Sequence, residues 1–259
     1  MFDPQVWRYA DPMAEPRRPR ASLSRDSILD AAIELLDRDG VAGLTLRGLA
    51  TELGGGLGSV YWHVAGKEAL VDLAIDAVLG RALTDVEAMR ADQLDPKELR
   101  ADGRVEAHEP AVAQALTEIR RICLAVYRQL ELHPWVAPGL ATDAAVLTHS
   151  LRAFDLVGRE LQPLDLTNAE KFNTVLALLN YVTGVGADMS AHHRYAGDER
   201  PPEPPIEEQL DAWLATAPGQ LPFVEAMREQ FLTHDAYAEF IGGLDLILSG
   251  LRTHAERAV

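Results

Sequence analysis

The chain has 259 residues, 47% of them hydrophobic, with 24 Lys and Arg against 40 Asp and Glu and a formal net charge of −16. That is apolar material for one large or two modest domains, while a lone cysteine, Cys123, excludes a disulfide framework and a Cys-based zinc site. No run reaches bilayer-spanning length and Met1 to Arg20 hold no signal-peptide core, so a soluble, cytoplasmic, non-membrane protein is expected.

Residues 1–21 are rich in Pro, Arg and Asp without periodicity, and read as a mobile basic arm ending in Arg17, Arg18 and Arg20. Ser24 caps a helix whose apolar positions are Ile28, Ala31, Ala32, Leu35 and Leu36, and Gly40 stops it. Thr45 caps a second helix, buried through Leu46, Leu49, Ala50 and Leu53, and Gly54 ends it. A short third helix runs to about His63. A fourth starts near Lys67, carries Leu70, Leu73, Ala74, Ala77 and Val78, and extends to about Met89.

Asp92 to Pro110 is a polar connector. Ala111 to Glu131 is strongly helical, with Ala115, Ile119, Ile122, Val126 and Leu130 on one side, and His133-Pro134-Trp135 and Pro138-Gly139 break it. Asp143 to Leu161 forms another helix. Thr167 caps a long apolar one through about Met189, and Gly197 to Pro205, with four prolines, is a loop. Ile206 to Thr216 is helical, Pro218, Gly219 and Pro222 punctuate, and Asp235 to His254 is the last long helix. No alternating strand pattern or internal repeat occurs, so the fold class is all-α.

Leu23 to Leu73 carries the functional signal. Three short helices and a Gly-rich turn give a small rigid core, and Val60-Tyr61-Trp62-His63-Val64 puts aromatic and polar groups on one edge beside Lys67. A helix-turn-helix that docks on DNA needs this combination. The acidity does not exclude it. Up to Lys67 there are 8 Lys and Arg against 9 Asp and Glu; beyond it there are 16 against 31. A near-neutral head can meet phosphate through its local field, and an acidic body suppresses wrong docking.

Four stretches, Gly43-Leu44-Thr45-Leu46-Arg47, Leu49-Ala50-x-x-Leu53-Gly54, Tyr61-Trp62-His63-Val64 and Lys67-x-Ala69-Leu70, resemble the tetracycline-repressor (TetR) family. A looser similarity covers Leu179 to Gly184 and Phe240 to Leu251, which resemble the two long helices through which members dimerise. The resemblance implies a DNA-binding transcriptional regulator, not an enzyme: an arm at 1–21, a helix-turn-helix domain at 22–67, and an effector-binding and dimerisation domain at 68–259. It places the third helix in the major groove, with Leu57, Gly58 and Ser59 at base edges, and with Tyr61, Trp62, His63 and Lys67 toward the backbone. Thr45 and Arg47 match positions that touch backbone or bases, and Arg17, Arg18 and Arg20 suit a minor-groove arm. It also implies a homodimer contact through Leu179, Val182, Ile241, Leu244, Leu248 and Leu251.

The sequence departs from the family at Gly54-Gly55-Gly56-Leu57-Gly58. Each interior glycine costs roughly 1 kcal/mol against alanine, so a weakly ordered recognition edge with few base contacts is expected. In the body, Leu83, Ile122, Val126 and Leu140 occupy positions that tetracycline-binding members keep polar or chelating. The implied effector is therefore apolar or aromatic and needs no magnesium or other cofactor. Its expected lining is Ile122, Val126, Trp135, Leu140, Leu151, Phe154, Leu176, Asn180 and Thr183.

Other chemistry is thin. His192, His193 and Asp188 lack the further ligands a metal needs, and no Gly-x-Ser-x-Gly elbow or other nucleophile context appears. Carboxylates such as Asp85, Glu87, Asp92 and Asp95 read as a solvated face. The competing reading is a helical protein that sequesters or transforms a small molecule without specific DNA binding.

Overall fold

The computed structural model describes residues 24–91, 109–140, 148–196 and 204–256, with side chains at all of these except 91 and 192–196. The basic arm with Arg17, Arg18 and Arg20, most of the Asp92-to-Pro110 connector, and the side chains of His192 and His193 lie outside the described residues. Within them every regular element is a helix: α1 (Arg25–Gly43), α2 (Leu46–Glu52), α3 (Leu57–Tyr61), α4 (Lys67–Ala91), α5 (Pro110–Leu132), α6 (Val136–Leu140), α7 (Thr148–Leu161), α8 (Asn168–Ala196), α9 (Ile206–Thr216), α10 (Pro222–Ala226), α11 (Arg228–Leu232) and α12 (Ala236–Ala255).

The caps form as local chemistry dictates. The Ser24 hydroxyl accepts from the Ser27 amide and the Ser27 hydroxyl from the Ser24 amide, closing a capping box. Thr45 accepts from the Gly48 amide and Asp235 from the Ala238 amide. Gly40 interrupts α1 at φ 66°, and one further turn carries it to Gly43. Two expectations of breakage give way to short helices. Pro138 sits in the first turn of α6 and Pro222 opens α10, positions where a missing N–H costs no helical bond.

α1, α2 and α3 close over Ile28, Ala32, Leu36, Leu49, Ala50 and Val60, all buried. The same buried set continues through Leu70, Ile75 and Val78 of α4 into the body. There α4 packs on α1, α5, α6 and α7, and α5 on α7, α8 and α12. α4 is thus common to head and body. Polar ties reinforce the junction. Arg81 of α4 pairs with Asp30 of α1 at 2.7 Å. Asp37 of α1 accepts the Trp135 indole N–H at 2.6 Å and lies 2.7 Å from His133 Nδ1. Cys123 is buried, and burial pushes its thiol up to about 12, so it stays protonated.

α8 and α12 pair side by side. Tyr181 donates to the backbone carbonyl of Phe240 at 3.1 Å, and its ring stacks on Phe240. Gly243 is required at this crossing, because a Cβ there would lie 2.1 Å from the Tyr181 hydroxyl. Arg120 of α5 is buried and ion-paired to Asp245 of α12.

The far ends of α8 and α12 are joined by Glu170, which lies 2.7 Å from His254 Nε2 and accepts from the Thr167 hydroxyl and amide. The His254 and Thr167 hydrogen bonds hold the Glu170 carboxyl down at about 2. A carboxyl lowered in the folded state stabilises it above the ordinary Glu range, and that contribution fades as pH falls toward about 2. Glu170→Gln is therefore expected to lower the urea midpoint at pH 7, with the gap to wild type narrowing steadily below pH 4.5. A gap independent of pH would show that the carboxylate does not hold the two helix ends.

Candidate nucleic-acid interface and the body behind it

The inner and outer faces of α3 separate as a one-turn helix requires. Val60 is fully buried, while Gly58, Ser59, Tyr61 and Trp62 face solvent, Trp62 at 87% exposure. An indole that bare on a folded head is not a core residue; it is a large amphipathic group held at the surface. Leu57 and His63 are half-buried at the two ends of the helix. Thr45 and Arg47 are exposed at the start of α2, and the Thr45 hydroxyl is engaged in its cap. Lys67, opening α4, reaches the Ala42 carbonyl at 3.4 Å, which keeps its ammonium beside the head. Neither Arg47 nor Lys67 has a carboxylate partner among the described residues.

The glycine turn is built rather than loose. Gly54 takes φ 61°, and its amide and that of Gly55 donate to the Thr51 and Ala50 carbonyls at 3.0 and 2.9 Å. Gly56 caps α3 without a side chain, and its carbonyl accepts from Ser59 at 2.9 Å. A Cβ at Gly58 would meet nothing within 4 Å. The fold therefore does not demand glycine there.

The expected dimer residues divide. Val182, Leu244, Leu248 and Leu251 are buried in the subunit's own core. Leu179 and Ile241 are half-buried against that core. The sequence pattern selected the most apolar positions of both helices, and these turn inward onto α5. The outward row is Phe172, Leu176, Asn180 and Gly184 on α8, with Gly242, Leu246 and Gly250 on α12; Leu246 is 73% exposed.

The expected effector lining also divides. Ile122, Val126 and Trp135 are buried, Leu140 and Phe154 pack partly buried beside them, and Thr183 is half-buried. Leu151, Leu176 and Asn180 face solvent. None of the nine lines the cleft of about 380 Å³ between α4 and α7, whose walls are Gly80, Leu83, Thr84, Val86, Glu87 and Arg90 opposite His149, Arg152, Asp155, Leu156 and Arg159. Those residues were not legible as a site, because the two walls lie some seventy residues apart in sequence. Among the described residues no group of three or more His, Cys, Asp or Glu is placed to hold a metal ion, and no helix is long and apolar enough to cross a membrane.

With this geometry in place, the family profile described as "Bacterial regulatory proteins, tetR family" matches residues 28–74, and "Tetracyclin repressor-like, C-terminal domain" matches residues 113–255. The chain belongs to the TetR family. Its head is the family's helix-turn-helix domain and its body the family's C-terminal helical domain, which makes it a DNA-binding transcriptional regulator. An HTH-type transcriptional regulator of Saccharopolyspora erythraea is 31% identical over 202 residues, covering 78% of this chain and 75% of the relative. The HTH-type transcriptional repressor DrrR1 of Streptomyces coeruleorubidus is 28% identical over 243 residues, covering 91% and 79%. The solved structure of the TetR regulator SCO7222 from Streptomyces coelicolor superposes with a TM-score of 0.65 at 31% identity, covering 90% of this chain and 99% of that one.

Proposed function

We propose that this chain is a cytoplasmic repressor that binds a near-palindromic operator as a homodimer and leaves it when a small apolar or aromatic effector occupies the body. The carrying observation is the split of α3, with Val60 inward and Ser59, Tyr61 and Trp62 outward, flanked by Arg47 and Lys67, which have no carboxylate partner among the described residues. Ser59 and the adjacent Leu57 and Gly58 then meet base edges, and the bare Gly58 lets the backbone approach closely. Tyr61, Trp62, His63 and Lys67 fix position on the phosphates, joined by Thr45 and Arg47. The arginines of the arm at 1–21 follow the adjacent minor groove.

Dimerisation uses the outward row of α8 and α12, so that two heads stand about 34–36 Å apart in successive major grooves. Control runs through α4, which is packed against the body along its length and delivers Lys67 to the duplex at its start. The Asp37 contacts to His133 and Trp135 carry a second connection from the α5–α6 junction to α1. An effector shifts operator occupancy only by its differential affinity for the two head spacings, and a near-complete switch needs about 5.5 kcal/mol.

The test is a titration of the full chain against the palindrome upstream of its own gene and against random duplex of equal length. Preference for the palindrome by at least about 1,000-fold at 150 mM salt is expected. Equal binding would overturn sequence-specific repression in favour of non-specific coating or small-molecule sequestration.

A further inference from the structure

The cleft between α4 and α7 holds a charge arrangement that packing alone does not require. Its arginines are answered unequally. Arg90 lies 2.8 Å from Glu118 and 3.8 Å from Glu160. Arg159 lies 2.6 Å from Asp155. Arg152 has no carboxylate within 4 Å among the described residues, although the chain holds 40 acidic against 24 basic residues. Its nearest polar neighbour is His149 Nε2, 3.5 Å from Nη1.

That histidine is fixed from behind. Asp76 of α4 accepts the His149 amide at 2.8 Å with one oxygen and lies 2.9 Å from Nδ1 with the other. With Nδ1–H donated to Asp76, Nε2 is an acceptor and faces a guanidinium that can only donate. The ring edge also fills the space beside Gly80, where a Cβ would lie 3.0 Å from Nε2. Asp76, His149 and Arg152 thus form a chain from α4 to an outward-facing cation. The same signature, an arginine or lysine left without a carboxylate, marks Arg47 and Lys67 on the head. Leu83 and Leu156 give the otherwise polar walls an apolar strip, and a cleft of about 380 Å³ has room for a fused two-ring ligand.

We infer that the α4–α7 cleft is the effector site and that it takes an aromatic acid, with the carboxylate or phenolate on Arg152 and the rings against Leu83 and Leu156. This rests on the effector-controlled reading above and adds the place and the chemical class. Glu87, exposed on the α4 wall and without an ion-pair partner among the described residues, repels an anion from that side, so the acid end points to α7. A planar anion accepts two N–H bonds from one guanidinium, which fixes its orientation. The ligand then bridges α4 to α7, and α4 is the helix that places Lys67.

The experiment measures binding of 1-naphthoate and of neutral 1-naphthamide to the full chain by calorimetry, then operator affinity with each present. Naphthoate is expected to bind at least about tenfold tighter than naphthamide and to weaken operator binding. Arg152→Met, at an exposed position, is expected to keep the melting temperature and the operator affinity while erasing the preference, and Arg152→Lys to restore part of it. Equal affinity for acid and amide, or a preference that survives Arg152→Met, would overturn the anion site. Naphthoate that binds through Arg152 yet leaves operator affinity unchanged would overturn the effector role alone.

Discussion

Leu246→Glu is expected to yield a folded monomer that no longer holds the operator. Leu246 is 73% exposed in the isolated subunit, midway along the α12 row Gly242, Leu246 and Gly250. The glycines flank it on both sides, so a second helix can approach closely and seat on the leucine. A glutamate there adds no strain within the subunit, because nothing of the subunit covers it. Between two copies it places a pair of carboxylates in an apolar seam near the dimer axis, and burying each unpaired charge costs several kcal/mol. Sedimentation is expected to report the monomer mass with an unchanged circular dichroism spectrum. Operator affinity is expected to fall by about 100-fold or more, because the second head no longer acts at high effective concentration. The contrasting variant is Leu244→Ala. Leu244 is fully buried in the subunit's own core, so this change is expected to lower stability by about 2–5 kcal/mol and to leave the assembly dimeric. If Leu246→Glu stays a dimer, the outward row is not the contact.

The contrast between Leu244 and Leu246 shows what the sequence could and could not reveal. Periodicity placed α1, α2, α4, α5, α8, α9 and α12 within a few residues, because each has an apolar stripe at helical spacing and most have a recognisable cap or stop. The inward set of the head, Ile28 to Val60, was legible for the same reason. In α8 and α12 apolar residues occur on two faces. Composition then cannot say which face meets α5 and which meets another molecule, and the more apolar one went inward. α6 and α10 were missed because their prolines serve as first-turn residues, and α11, five residues without a proline, is too short to show a helical period. Of the proposed duplex contacts, Ser59, Tyr61 and Lys67 were readable from local motif alone, two on α3 and one at the start of α4. Arg152 was not. On α7 it is an ordinary surface arginine, and only the packing of Asp76 against His149 from a distant helix distinguishes it. The contacts of Asp37 with His133 and Trp135 were hidden likewise, because His133-Pro134-Trp135 read as a helix break rather than as a joint to α1.

The duplex edge itself gives the other large effect. Tyr61→Phe combined with Lys67→Ala is expected to weaken operator binding by on the order of 100-fold at 150 mM salt. Each subunit loses one hydroxyl and one ammonium from the phosphates, four contacts in the dimer, and at about 0.7 kcal/mol net for each solvent-facing hydrogen bond the sum is about 2.7 kcal/mol. The salt dependence separates the two roles. A lysine that neutralises a phosphate adds about 0.9 to the slope of log affinity against log salt. Removing Lys67 from both subunits is therefore expected to flatten the slope by nearly 2, while Tyr61→Phe alone lowers affinity at constant slope. Stability is expected to stay within about 0.5 kcal/mol, since Tyr61 is 54% exposed and the polar contact of Lys67 among the described residues is a long one, to the Ala42 carbonyl. A double variant with unaltered slope would place Lys67 away from the backbone. The third helix would then have to lie on the duplex by some edge other than the one bearing Ser59, Tyr61 and Trp62.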